Sequence, residues 1–134
     1  MNTQKMLLAV VAGFVVMFGL AGLFHLVIMK DFFIQKLGGS PLIQYPILSY
    51  LILAILMSYI YPQGYKGGSL LKEGLVFGIL IGLVCRVPSE VLELGYGRGD
   101  LAFVVTEGIW HMVEEGIGGI VIAYVYGKGK TATT

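Results

Sequence analysis

The chain has 134 residues, of which 57% are hydrophobic and only 13% charged, with a mean hydropathy of +0.85. Soluble domains carry about 25% charged residues, so this sequence lacks the polar surface for a water-facing shell, and a net charge of +1 offers no footing for nucleic acid. The one cysteine, Cys85, excludes an intrachain disulfide, and its apolar neighbours predict a small buried residue.

Four apolar stretches follow along the chain, each near the ~20 residues that cross hydrocarbon. The first covers residues 6–29 and carries His25 close to its end. It begins like a signal peptide, but its apolar run outlasts a signal core and no small-residue cleavage site follows, so it reads as a retained helix. Residues 30–36, with Asp31, Phe32 and Phe33 between Lys30 and Lys36, read as an interfacial anchor. A Gly-Gly-Ser-Pro break at 38–41 leads to the second stretch, 42–61. It is only weakly polar (Gln44, Ser49, Ser58) and is expected to supply packing and lipid contact.

A link rich in Pro, Gly and Lys (62–69) precedes the third stretch, 70–94. Here Gly74, Gly78 and Gly82 recur every four residues, a small-residue stripe that lets another backbone approach closely. Arg86, Glu90 and Glu93 continue the same face at steps of +4, +4 and +3 from Gly82. Pro88 removes a backbone donor and frees the carbonyl of Val84. After a glycine-rich turn at 95–100, the fourth stretch covers 101–126. Glu107, His111, Glu114 and Gly118 share one face of it, whereas Glu115 lies about 100° around from Glu114 and is expected to face elsewhere. Gly108, Gly116, Gly118 and Gly119 predict close packing of the third and fourth stretches as a hairpin. The remainder, 127–134, is polar.

These features predict an all-α fold, a polytopic integral-membrane four-helix bundle in one domain (1–134) with both termini on the same side. Placing the termini in the cytoplasm puts Lys5, Lys66, Lys72, Lys128 and Lys130 inside and Lys30, Lys36 and Arg98 outside, a modest positive-inside bias. Tyr45, Tyr61, Tyr65, Tyr96, Tyr124 and Tyr126 fall near the helix ends, as an interfacial aromatic belt would.

Ionisable residues inside a bilayer are costly and face a bundle interior or water. Counting rise along each helix puts His25 about 11 Å, Glu90 about 12 Å, Glu107 about 10 Å and His111 about 4 Å to the outer side of their helix centres. Residues from three helices thus share one leaflet and are placed to meet. Five carboxylates (Glu90, Glu93, Glu107, Glu114, Glu115) accompany a single arginine, Arg86. A low-dielectric site must neutralise that excess with protons or with a cation.

The leading expectation is a small membrane subunit whose core, built from His25, Glu90, Glu107, His111 and Glu114 with Arg86 as charge partner, binds a cation or carries protons. It would work as a homo-oligomer or within a larger membrane complex, joined through the faces of Gly74, Gly78, Gly82, Gly116 and Gly119. One alternative is a metal-dependent membrane enzyme with a divalent metal at Glu107, His111 and Glu114, since carboxylates and histidines on facing helices are the ligands of di-iron sites. Another is a purely structural accessory subunit whose polar groups fix helix register. The ~7 Å difference in depth between the two histidines disfavours haem.

The order of features also resembles uncharacterised small four-helix bacterial inner-membrane protein families. The similarity lies in Gly-Leu-Ala-Gly-Leu-Phe-His at 19–25, Asp31-Phe32-Phe33, the third-stretch glycines, and a last helix with Trp110 and then Gly-Ile-Gly-Gly at 116–119. That resemblance implies the four-helix membrane fold and brings no assigned activity, and no role for His25, His111, Glu114 or Glu115 carries over from it.

Overall fold

A computed structural model describes residues 2–37, 42–97 and 100–127, with only the backbone at 36 and 37. The 38–41 break, Arg98, Lys128 and Lys130 lie outside the described residues, as does the side chain of Lys36. The described residues are helical throughout apart from short links: α1 (Thr3–Leu23), a π-helical turn (Phe24–Ile28), α2 (Lys30–Leu37), α3 (Gln44–Gly64), α4 (Leu70–Gly95) and α5 (Leu101–Gly127).

Local chemistry sets the ends. The Asn2 side chain accepts from the Lys5 amide to cap α1, and Asp100 Oδ1 accepts from the Phe103 amide at 2.9 Å to cap α5. Before α4, Ser69 occupies the cap and the Glu73 carboxylate reaches back to the Gly68 amide at 2.7 Å and the Lys66 amide at 3.2 Å. Gly97, at φ +69°, takes the left-handed conformation that stops the chain beyond α4. Pro88 does not end α4. In the turn it loosens, the Ser89 hydroxyl donates to the Arg86 carbonyl at 2.8 Å.

Three helical runs are long and apolar enough to cross a membrane: Thr3–Ile28, Gln44–Gly64 and Leu70–Gly95. The first stretch therefore ends in a π-helical turn rather than continuing as one regular helix to residue 29. The aromatic anchor predicted at 30–36 is the separate short helix α2. The 27-residue α5 is as long as the others (about 40 Å at 1.5 Å per residue) but is not among these runs, and carries Glu107, His111, Glu114 and Glu115 in its middle.

The distribution of residue types is inverted relative to a water-soluble protein. Glu90, Glu107, His111, Glu114 and Glu115 are buried, while Val11, Val15, Val27, Ile52, Val84 and Ile109 stand exposed. Cys85, expected inside, is also exposed. Such an outer surface suits lipid and not water.

Helix α5 is central, packing against α4 most extensively and also against α1 and α3. The α4–α5 seam rests on the predicted glycines. A methyl group at Gly78 would run into the Glu115 carbonyl, one at Gly82 would lie 2.6 Å from the His111 carbonyl oxygen, and one at Gly74 would lie 2.6 Å from that of Gly119. All three contacts are to backbone, which cannot give way as a side-chain tip can. The glycine stripe of α4 is therefore filled by α5 of the same chain. On the other side, Met17, Ala54, Met57, Ile122 and Ala123 form an apolar core between α1, α3 and α5. The Lys5 ammonium donates to the Tyr126 carbonyl at 3.0 Å, holding the start of α1 against the end of α5. At the same end Tyr61 is buried and packs with Tyr65, Phe77 and Tyr126.

Candidate functional site

Every polar residue singled out in the cluster projects from a helix that faces α5, or from α5 itself. Glu107, His111 and Glu115 follow one another at steps of four, so they climb one side of α5 over about 12 Å. Glu107 is the node. Its Oε1 lies 2.9 Å from His25 Nε2, and its Oε2 lies 3.1 Å from an Arg86 guanidinium nitrogen and 3.5 Å from His111 Nε2. The same Arg86 nitrogen is 2.9 Å from Glu90 Oε1. A carboxylate has about four acceptor positions and can serve these donors together. His25, Arg86, Glu90, Glu107 and His111, drawn from α4, α5 and the turn after α1, thus form one connected group.

The π-helical turn has a direct role here. His25 Nδ1 donates to the Ala21 carbonyl at 2.9 Å, which fixes the ring orientation and leaves Nε2 toward Glu107. Isolated π turns inside helices recur at functional sites. No periodicity in residues 24–28 announces this one. Aromatic rings pack around His25: Phe33 of α2 is buried 4.3 Å from the His25 ring, and Phe24 stacks on Trp110 at 4.0 Å.

Farther along α5 the partners change. His111 Nδ1 lies 2.9 Å from Glu115 Oε1, so both ring nitrogens of His111 face carboxylates, one turn back and one turn on. The expectation that Glu115 faces elsewhere does not hold, for its side chain is almost wholly enclosed. The 100° step carries it from the Glu114 direction round to the direction of His111, because residues four apart lie one above the other. Glu114 Oε2 accepts from the Trp110 indole N–H at 2.7 Å, and the Tyr50 hydroxyl approaches the same carboxyl group. Tyr50 shows that α3 does more than pack. An isolated tyrosine in an apolar helix gives no sequence signal for this, since its partner is remote in the chain.

The residues His111, Glu114 and Glu115 each offer a ligand atom within 4.8 Å of the others. Among the described residues this is the group whose geometry could hold a metal ion; Glu107, expected with His111 and Glu114, faces the other nitrogen of His111 at 3.5 Å and also meets Arg86. Two carboxylate oxygens here, Glu114 Oε1 and Glu115 Oε2, are buried without a hydrogen-bond partner.

A groove of about 530 Å³ bordered by Lys5, Leu8, Ile120, Val121, Tyr124 and Val125 lies between α1 and the far end of α5, beyond Glu115. Compared with known proteins, the chain matches no protein-family model, no curated protein and no solved structure.

Proposed function

We propose that this chain is a multi-pass membrane protein of the bacterial inner membrane, a four-helix bundle with both ends on the cytoplasmic side, whose buried carboxylate–histidine ladder carries protons. The observation that carries this reading is the alternation Glu107–His111–Glu115 along α5, with both nitrogens of one imidazole turned to carboxylates. A proton can enter such a ring at one nitrogen while another leaves at the opposite one; the ring then holds its hydrogen on the entry side and resets by tautomer exchange before the next proton. The His25 contact supplies the same chemistry at the outer end. Its Nδ1 is committed to a carbonyl, which only accepts. The proton between Nε2 and Glu107 therefore belongs either to an imidazolium or to a carboxylic acid, and it is shared across a 2.9 Å gap. Burial of α5 by the other helices and the apolar outer surface support the four-helix reading, and the Lys5–Tyr126 contact supports ends that share a side.

A partner subunit fits the same picture. The Arg86 side chain is 38% exposed, on a helix long and apolar enough to cross a membrane. An arginine edge open to lipid is costly, so a second copy or a larger membrane complex would cover this face of α4. Because the glycine seam is occupied internally, assembly would use the Arg86 side of the helix.

The test is proton flux into liposomes containing the purified protein under an imposed membrane potential. Wild-type protein is expected to raise the flux above empty vesicles, and Glu107→Gln, which keeps the shape but removes a proton-exchanging group, is expected to lower it at least about tenfold. Equal flux in the two would overturn the relay.

A further inference from the structure

We infer that the far end of the ladder, His111 with Glu114 and Glu115, is a binding site for one first-row divalent transition cation; this deepens the reading of the buried cluster as a functional site and rests on it.

The inference starts from charge. Around Glu107, the carboxylates Glu90 and Glu107 are met by Arg86 and by His25, two acidic groups against two basic ones at 2.9–3.1 Å. That end balances from within. Glu114 and Glu115 have no such partners. Among the described residues no lysine or arginine pairs with either, and the basic side chain that reaches them, His111, is shared with Glu107. Two adjacent carboxylates at 0% and 1% exposure leave up to two negative charges uncompensated in a low-dielectric interior. A single divalent cation would neutralise both.

Hydrogen bonding points the same way. Glu114 Oε1 and Glu115 Oε2 are buried with no partner, and an orphaned buried oxygen costs about 1–3 kcal/mol. Protonating both carboxyls removes the charge but adds O–H donors beside the Tyr50 hydroxyl that faces Glu114 from α3. A cation occupies the oxygens themselves. The donor set, one imidazole nitrogen and two carboxylates, is the borderline mixture that binds manganese, iron or zinc in the divalent state, and it suits calcium poorly. Ligand atoms now within 4.8 Å of one another close to bonds of about 2.0–2.2 Å by small side-chain movements. Surrounding groups already fit the outer role. Trp110 holds Glu114 by its indole N–H, and Glu107 faces the ring nitrogen of His111 that would remain when Nδ1 turns to the metal. A carboxylate behind a metal-bound histidine is the usual means of orienting such a ligand.

Occupancy would also stop the relay at its last step, since Nδ1 of His111 and a Glu115 oxygen would then hold the cation. Metal binding would release protons and weaken as pH falls.

The experiment is titration of the purified full chain in detergent with Mn²⁺, read by electron paramagnetic resonance and by pulsed detection of nitrogen coupling. One Mn²⁺ per chain with coupling to a single imidazole nitrogen is expected. Glu114→Gln and Glu115→Gln should each weaken binding at least about tenfold, and Glu73→Gln, which removes a carboxylate outside the cluster, should leave it unchanged. Absence of stoichiometric binding, or bound Mn²⁺ without nitrogen coupling, overturns the inference, and the wild-type spectrum decides this even if a variant fails to fold. The outcome is separable from that of the relay. Flux unaffected by Glu107→Gln with Mn²⁺ still bound at one nitrogen would remove the relay and keep the site. Lost flux with no Mn²⁺ bound would do the reverse.

Discussion

The two ends of the buried ladder are built from the same residue types and are satisfied in opposite ways. At Glu107 both carboxylate oxygens have basic partners from three directions, His25, Arg86 and His111. Two turns farther along α5, Glu114 and Glu115 each keep an oxygen with none. The first end locks helices together, because its partners come from separate elements. The second has no charge of its own to close it and is open to an exchangeable one. Buried charges that are paired and hydrogen-bonded resist change, and unpaired ones invite a proton or a ligand.

Substitutions at the two ends should therefore have opposite signs. The largest effect is expected at the paired end. Glu107→Ala strands Arg86 and two histidines without their common acceptor, and should cost about 3–5 kcal/mol, measured as a drop in the denaturation midpoint of detergent-solubilised protein. A midpoint within error of wild type would mean that the node does not hold the helices. The smaller effect is expected at the open end. In metal-free protein, Glu114→Gln removes a buried charge while the amide oxygen still accepts from Trp110. It should leave stability equal or raise it by about 1 kcal/mol, read in the same denaturation assay. A loss as large as that of Glu107→Ala would erase the distinction between the ends.

Much of this was legible from sequence, and for identifiable reasons. Spacing of three and four placed Glu107, His111 and Glu114 on one face, and rise per residue put His25 and Glu90 at the depth of Glu107. Both arguments use only helix geometry, which long apolar helices obey. The glycine stripe was equally visible, but its occupant was not: a stripe states that a backbone comes close and is silent on whose. Three things escaped. Glu115 was set aside by its angle from Glu114, although its four-residue step from His111 could have retained it. Tyr50 carries no pattern at all, and its role appears only when α3 is laid beside α5. The π-helical turn at His25 is a local change of hydrogen-bond step that periodicity does not register. Cys85 was expected inside from its apolar neighbours, and in a chain whose apolar groups face outward that expectation reverses.

The central claim is that the histidine–glutamate gaps hold protons shared between nitrogen and oxygen. Magic-angle-spinning NMR of ¹⁵N-histidine-labelled, metal-free protein in bilayers tests it most directly. The account predicts that the nitrogens facing carboxylates, Nε2 of His25 and both ring nitrogens of His111, exchange protons on the observed timescale, and that Glu107→Gln quenches the exchange at His25. Two static neutral rings, each with one fixed proton and indifferent to Glu107→Gln, would contradict it.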